Sequence, residues 1–406
     1  MLTEIDERRI DMIDLRVGMF VCRLDRPWEG TPFPLQGIEV RSEDDIRALR
    51  ELCQFVYIDA HREVVDHRAR VLTRASLSAS RFKASITHTD RANVVEEVPR
   101  AHKALENASA MVDRIYNDIA SGRELSVEYV EQAVRPLVAS VLRNADAFLY
   151  VEGLRKHDSY SYSHSISCSA LAAAFGRHMG FAEETIISLA AGGLLMDVGK
   201  TQLPEGLLQY KGSLSANAVE VVRSHVTHGL AILARSSVTD PDVVDILRTH
   251  HERHDGSGYP AGLTDTAIPI AGRMLGIIDT YDAMSSLRPY RPAISRHQAL
   301  QHMYAARGTL FQPELVEQFQ VCLGVYPTGS LVELNSGEVA VVMAQNQVRR
   351  LRPKVLVLST PAKQPLTDFR ILDLMDQRDP ANMVEIARSL APGEYAIDIT
   401  EHFLQQ

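Results

Sequence analysis

The stretch from residue 250 to residue 260 contains the densest group of side chains that could do chemistry. It reads His250-His251-Glu252-Arg253-His254-Asp255-Gly256-Ser257-Gly258-Tyr259-Pro260. Two adjacent histidines cannot share one face of a regular helix, so we expect them at a helix end, where the glycines allow the chain to turn. Taken alone, the pair is as consistent with solvated or packed residues as with a metal site.

Further nitrogen and oxygen donors lie on or at the ends of predicted helices. The candidate metal ligands are His164, Asp197, His225, His250, His251 and Asp279. Donors in this number are enough for two hard or borderline divalent ions. A single histidine is more often a packed or surface residue than a ligand, so the set needs support from a wider pattern.

Length, charge and cysteine usage limit the class of protein. A chain of 406 residues is long enough for about two or three domains. Its formal charge of -9 argues against binding to nucleic acid polymers or anionic membranes, so any phosphate site must be local. The four cysteines are scattered without a C-x-x-C pair, as expected of reduced core residues. The charged N-terminus is unlike a signal peptide and no apolar run could span a bilayer, so we expect a cytoplasmic location.

Periodicity predicts a small α+β domain over residues 1–65 and a linker after it. Strands are predicted over 15–24 and 55–58, and a helix between them has an apolar stripe that includes Ile46 and Leu49. Residues 66–94 are rich in arginine, with no acidic residue between 67 and 89, and predict a basic linker.

The remainder of the chain divides into a helical region and a β-rich region. Residues 95–324 predict an all-α bundle. Its helices start near 95 and 130, and others are predicted over 166–179, 184–195, 218–234, 242–249 and 270–286. Residues 325–406 predict a small β-rich domain, because two apolar runs flank the turn Asn335-Ser336-Gly337.

Three segments together resemble the HD-GYP family of cyclic di-GMP phosphodiesterases over residues 95–324. They are Leu194-Leu195-Met196-Asp197-Val198-Gly199-Lys200 followed by His225, the run from His250 to Pro260, and Asp279-x-x-Asp282-Ala283-Met284. Upstream, Val17-Gly18-Met19, Trp28 and Leu35-Gln36-Gly37 look like the uncharacterised domain that often precedes this family's catalytic domain. The implied fold is multidomain, with an all-α HD-type catalytic bundle between a small α+β N-terminal domain and a small β-rich C-terminal domain.

The resemblance implies a metal-dependent phosphodiesterase that cleaves cyclic di-GMP to linear pGpG, GMP or both. One or two divalent ions, iron or manganese, would lower the pKa of water and stabilise charge on the phosphoryl oxygens. The implied ligands are His164 and Asp279 for the first ion, Asp197 as a bridge, and His225, His250 and His251 for the second.

The resemblance also implies roles in substrate binding. Lys200 would contact the scissile phosphate and act in catalysis together with Asp197. Arg288 and Arg291 would hold the phosphates of cyclic di-GMP.

Two further groups of residues take roles around the site. A surface loop that engages diguanylate cyclases would consist of Gly258, Tyr259 and Pro260. Carboxylates next to the ligands are expected to accept the second N–H of the imidazoles and so orient them. The expected acceptors are Glu252, Asp255 and Asp282.

The sequence departs from the family at Met196, where the family has the histidine of its His-Asp pair. A thioether is a soft, neutral group and a poor ligand for manganese or iron. We therefore expect a weakened first metal position and a complete second one. Tyr160 stands where three-metal members have a glutamate, so a third metal is not expected.

Alternative functions remain open at this stage. The chain is either a working phosphodiesterase or a degenerate module that binds cyclic di-GMP, or docks partners, without turnover. The retained ligands, Lys200 and the two arginines, Arg288 and Arg291, favour the enzyme. A general HD-superfamily nucleotide phosphohydrolase is disfavoured by the Gly-Tyr-Pro run, and a homodimer through the N-terminal unit is left open.

Overall fold

The structure, a computed structural model, describes residues 7–17, 19–26, 38–40, 43–59, 82–154, 160–210, 212–286, 292–346, 349–377 and 383–396. It confirms the predicted fold class, because a helical region lies between two antiparallel sheets that are distant in sequence. None of the helices in this part of the chain is both long and apolar enough to cross a bilayer.

The N-terminal unit is an antiparallel sheet covered by helix α1. The strands are β1 (Glu7–Asp11), β2 (Phe20–Leu24), β3 (Ile38–Glu39) and β4 (Phe55–Asp59), in the order β1-β4-β2-β3, and α1 spans Glu43–Leu52. Ile46 and Leu49 of α1 pack with Val21 and Val56 in a core of their own. The strand predicted over 15–24 is correct only for its second half. No pattern predicted β1, whose charged sequence suits the edge of a sheet.

Helices form the middle of the chain. They are α2 (Val94–Ala120), α3 (Val127–Arg143), α4 (Ala145–Gly153), α5 (Tyr160–His178), α6 (Glu183–Leu195), α7 (Ala216–Arg223), α8 (His225–Ala234), α9 (Pro241–Thr249), α10 (Ile270–Ser285), α11 (Arg296–Ala305) and α12 (Pro313–Leu323). A short 3-10 turn over Val198–Gln202 follows α6. Most of the predicted linker lies outside the described residues, since 60–81 are not among them.

The single helix predicted over 218–234 is wrong, because the chain breaks at Ser224 into α7 and α8. The Ser224 hydroxyl donates a hydrogen bond to the carbonyl oxygen of Val221 at 2.7 Å. The His225 ring donates from Nδ1 to the carbonyl oxygen of Val222, also at 2.7 Å. Such side-chain bonds compete with helical ones and favour a helix boundary. The break places His225 at a helix start.

The C-terminal strands form a second antiparallel sheet in the order β8-β7-β6-β5-β9. They are β5 (Leu331–Leu334), β6 (Val339–Ala344), β7 (Lys354–Ser359), β8 (Pro365–Asp373) and β9 (Ile386–Ser389). The predicted hairpin corresponds to β5 and β6, which are paired in register from Leu331 opposite Val341.

Both faces of the three central strands of the C-terminal sheet are buried. Leu331, Val341 and Leu356 belong to the core of the helical region, whereas Val332 and Val357 pack in a smaller core on the other face. Hydrogen bonds also join the helical region to the C-terminal sheet. The Asp146 carboxylate of α4 accepts hydrogen bonds from the Thr328 hydroxyl at 2.7 Å and from the backbone N–H of Gln345 at 2.9 Å. The sheet and the helices therefore share one core.

A buried ion pair joins α2 to α3. Glu97 is fully buried and accepts hydrogen bonds from the Arg143 guanidinium at 2.7 and 2.8 Å and from the Ser140 hydroxyl at 2.8 Å. Burial acts to raise the pKa of Glu97, but the hydrogen bonds from Arg143 and Ser140 outweigh it and lower the pKa below the ordinary 4.5. The pair therefore favours the ionised carboxylate.

We expect Glu97→Ala to lower the free energy of unfolding by about 3 kcal/mol at neutral pH, because it leaves Arg143 without its partner. Since the folded-state pKa is lowered, this stabilisation is present above the unfolded pKa of 4.5 and is lost as the pH falls below it. Urea unfolding at neutral pH and at about pH 3 measures both effects. Glu96→Ala, on the exposed neighbour, is the control, and equal losses for the two variants would contradict the expectation.

Candidate metal centre

Separate segments of the helical region bring the candidate ligands to one place. His164 lies in α5, Asp197 follows α6, His225 begins α8, His250 and His251 follow α9, and Asp279 lies in α10. Gly199 allows a close approach between two of these segments, since a Cβ there would lie 1.9 Å from the carbonyl oxygen of His225. The turn that carries Asp197 therefore packs directly on the start of α8.

The buried Asp197 carboxylate stands between two groups of donors. Its Oδ1 lies 3.4 Å from Nε2 of His225 and 3.9 Å from Nε2 of His250. Its Oδ2 lies 3.6 Å from Nε2 of His164 and 2.5 Å from the Lys200 ammonium. Burial would raise the pKa of Asp197, but Lys200, His225 and His164 lower it well below its usual range. The carboxylate is therefore ionised.

Backbone carbonyls orient two of the histidines on the Oδ1 side. Nδ1 of His225 donates to the carbonyl oxygen of Val222 at 2.7 Å, and Nδ1 of His250 donates to that of Ile246 at 3.0 Å. A carbonyl only accepts, so the proton is on Nδ1 and the Nε2 lone pair faces Asp197. Burial lowers the pKa of His225 and lowers that of His250 to about 4, which keeps both rings neutral and able to bind a cation.

His164 is oriented by carboxylates on the other side of Asp197. Its Nδ1 donates to Asp282 at 2.6 Å, and its Nε2 lies 3.1 Å from Asp279. Burial acts to lower the pKa of His164, but Cys168 and the hydrogen bonds to Asp279 and Asp282 outweigh it and raise the pKa well above its ordinary value. Asp282 thus has the orienting position that the sequence predicted for it.

The sequence reasoning missed Cys168, whose Sγ lies 3.7 Å from Nδ1 of His164. Its position four residues after His164 on the predicted helix was the available signal, because residues at that spacing are neighbours. Burial raises the pKa of the Cys168 thiol to about 12. The thiol is therefore protonated next to the donor cluster.

The histidines and carboxylates around Asp197 form a set of donors that fits a divalent cation. Asp197, His225, His250 and His251 present ligand atoms within 4.8 Å of one another, and His164, Asp197 and Asp279 form a second such group. Oδ1 of Asp197 is buried without a hydrogen-bond partner among the described residues, as expected of an atom that faces a cation. Imidazole nitrogens and carboxylate oxygens suit borderline ions such as iron and manganese.

Met196 and Lys200 lie on either side of the Asp197 turn with different surroundings. Met196 is fully buried in the hydrophobic core. Lys200 is partly exposed and pairs with Oδ2 of Asp197. Arg288 and Arg291 fall outside the described residues, so their assignment to the phosphates stays a prediction.

Glu252 and Asp255 do not orient imidazoles, so that expectation is wrong for both. The buried Glu252 carboxylate accepts hydrogen bonds from the backbone N–H groups of Ala261 at 2.7 Å and Leu263 at 3.0 Å. Asp255 accepts bonds from the backbone and hydroxyl of Ser257. Both carboxylates therefore fix the loop after the histidine pair, where Gly258, Tyr259 and Pro260 lie.

Comparisons with known protein families find three matches along the chain. A domain of unknown function, DUF3391, matches residues 7–130. The HD domain matches residues 149–315, and a KOW domain associated with the HD domain matches residues 331–397.

The curated relatives include several phosphodiesterases of cyclic dinucleotides. A cyclic di-GMP phosphodiesterase of Pseudomonas aeruginosa is 32% identical over 370 residues, which cover 90% of this chain and 89% of that protein. A cyclic di-GMP phosphodiesterase of Thermotoga maritima is 34% identical over 163 residues, covering 40% of this chain and 44% of that one. 3'3'-cGAMP-specific phosphodiesterase 2 of Vibrio cholerae is 37% identical over 139 residues, which cover 34% of this chain and 27% of that protein.

We expect His250→Ala to weaken the binding of one divalent cation at least roughly 100-fold, because it removes one donor from the group around Oδ1 of Asp197. Competition with a chelator and elemental analysis of the purified protein measure the loss. His254→Ala is the matched control, since His254 lies four residues on and approaches Asp265 at 3.6 Å instead of the cluster. Equal metal affinity in the two variants would contradict the assignment.

Proposed function

The chain belongs to the HD-GYP family, and on that basis we propose that it hydrolyses cyclic di-GMP to linear pGpG, GMP or both. The observation that carries the proposal is the buried Asp197 carboxylate, which has the imidazoles of His225 and His250 near Oδ1 and the imidazole of His164 and the Lys200 ammonium near Oδ2. We place its action in the cytoplasm, where free cysteines such as Cys22, Cys53, Cys168 and Cys322 are usual.

One tightly held divalent ion, iron or manganese, is the proposed cofactor. Its ligands are Asp197, His225, His250 and His251. The first position keeps only His164, Asp197 and Asp279, because Met196 stands where the family has an imidazole, and a thioether binds such ions poorly. A second ion there is bound weakly or only at high concentration.

A cation held by Asp197, His225, His250 and His251 would lower the pKa of the attacking water and offset charge that develops on the phosphoryl oxygens. The water oxygen would form a bond to phosphorus as the water loses a proton, the bond from phosphorus to the ribose 3′ oxygen would break, and a proton would pass to that oxygen, so that one water is consumed for each bond cleaved. Lys200, which is partly exposed, would contribute positive charge next to the scissile phosphate. Arg288 and Arg291 bind the phosphates of the cyclic dinucleotide.

The loop after the histidine pair is the proposed contact with diguanylate cyclases. Ser257, Pro260 and Ala261 are exposed along it, whereas Gly258 and Tyr259 are half-buried. A partner would therefore meet the exposed residues first. A homodimer is compatible with this arrangement.

A cyclic di-GMP sensor without turnover is the alternative, and Met196 is the observation that favours it. Purified protein supplied with manganese or ferrous iron should convert cyclic di-GMP to linear product, and His250→Ala should abolish the conversion. Binding of cyclic di-GMP without product under every metal condition would select the sensor. Turnover of 3'3'-cGAMP or nucleoside phosphates, with cyclic di-GMP left intact, would replace the proposed substrate.

We expect Met196→His to restore a ligand to the first position, so the metal content should rise toward two ions per chain and turnover should rise roughly tenfold or more. Elemental analysis and rates of linear product formation measure the two effects. Met196→Leu is the control, because it keeps an apolar side chain and adds no donor. A folded Met196→His protein with unchanged metal content would refute the assigned weakness of this position.

A further inference from the structure

Tyr259, in the loop that follows the histidine pair, directs its ring toward His251, one of the proposed metal ligands. Its ring stacks on the His251 ring, with centroids 4.7 Å apart and planes inclined by 27°. The backbone N–H of Tyr259 also donates to the carbonyl oxygen of His251 at 3.2 Å. The guanidinium carbon of Arg223 lies 4.8 Å from the centroid of the same tyrosine ring. Tyr259 thus joins the histidine pair to the end of α7.

The other two histidines of this group are oriented in a different way. The rings of His225 and His250 are each fixed by a hydrogen bond from Nδ1 to a backbone carbonyl. No carbonyl oxygen of the described residues accepts a hydrogen bond from the His251 ring, whose Nδ1 lies 3.6 Å from Oδ2 of Asp279. The His251 ring instead packs against two other rings, that of His250 at 4.1 Å between centroids and 43° between planes, and that of Tyr259 at 4.7 Å and 27°. Of the two, Tyr259 is the one stacked nearly parallel to the imidazole.

The loop is built to hold the tyrosine in that position. A Cβ on Gly258 would lie 2.4 Å from the backbone nitrogen of Arg253 and 2.5 Å from the carbonyl oxygen of His251, so only glycine lets the loop approach this closely. Glu252 binds the far side of the loop through Ala261 and Leu263. The backbone therefore keeps the Tyr259 ring against His251.

We propose that Tyr259 is a positioning residue for the metal ligand His251. The inference rests on the proposed function only in taking His251 as a ligand of the second position. The tyrosine acts through ring stacking, which restrains the plane of the imidazole and so the direction of its lone pair. A protein that displaces the loop would therefore change the affinity of the centre for its cation.

The test compares variants of the full chain by their affinity for Mn²⁺ and by the visible spectrum of the Co²⁺-loaded protein. Tyr259→Leu should weaken the affinity roughly 10- to 100-fold and change the Co²⁺ bands, because it removes the ring that orients a ligand. Tyr259→Phe keeps the ring and should retain affinity within about threefold and the wild-type spectrum. Gly258→Ala, which lifts the loop, should resemble Tyr259→Leu.

Tyr210→Leu is the matched control, since Tyr210 is 56% exposed and does not belong to the donor groups. Wild-type Mn²⁺ affinity and a wild-type Co²⁺ spectrum in Tyr259→Leu would overturn the inference. An equal loss of Mn²⁺ affinity in Tyr259→Phe would also overturn it, because the effect would then belong to the hydroxyl and not to the ring. Failure of the wild-type chain to bind metal would instead remove the proposed function itself. Metal binding without hydrolysis of cyclic di-GMP leaves the inference standing and the proposed substrate refuted.

Discussion

The burial of one ionised carboxylate, that of Asp197, is the constraint on which the centre depends. Removing a carboxylate from water costs several kcal/mol unless positive charge or hydrogen-bond donors replace its hydration. Lys200 and His164 serve Oδ2 in this way, whereas Oδ1 faces only imidazoles whose inward nitrogens carry lone pairs. Oδ2 therefore has a donor within the protein, whereas Oδ1 has none among the described residues. A cation bound at Oδ1 would compensate for the missing donor.

The scaffold meets this constraint mostly with backbone atoms. Helix ends are suited to the task, because their last carbonyl oxygens lack partners within the helix. The carbonyls of Val222 and Ile246 are near such ends; each also accepts a backbone N–H, and its remaining lone pair fixes the tautomer of a neighbouring histidine. His164 has less of this support, since its ring is held by the carboxylates of Asp279 and Asp282 and not by a backbone carbonyl. The two sides of Asp197 therefore differ in how their histidines are oriented.

Much of the architecture could be predicted from the sequence, and the failures have physical causes. Long apolar stripes gave the helices of the bundle, since they report burial directly. The break at Ser224 and the strand β1 escaped prediction, because the first depends on side-chain hydrogen bonds and the second on an edge position that needs no alternation. The donors near Asp197 were identified through the motif resemblance. The inward direction of Tyr259 could not be predicted, because it depends on a contact between backbone segments at Gly258.

The C-terminal sheet has a consequence for how the molecule is divided. One of its faces completes the apolar interior of the helices, and Asp146 of α4 is bonded to the segment that leads into the sheet and to the residue that follows β6. A fragment that ended at α12 would lack the sheet, so the helical residues that pack against Leu331 would be exposed to water. The buried carboxylate of Asp146 would also lose its hydrogen-bond donors Thr328 and Gln345. Evolutionary exchange of modules is therefore easier at the N-terminal end, whose interior is self-contained, than at the C-terminal end.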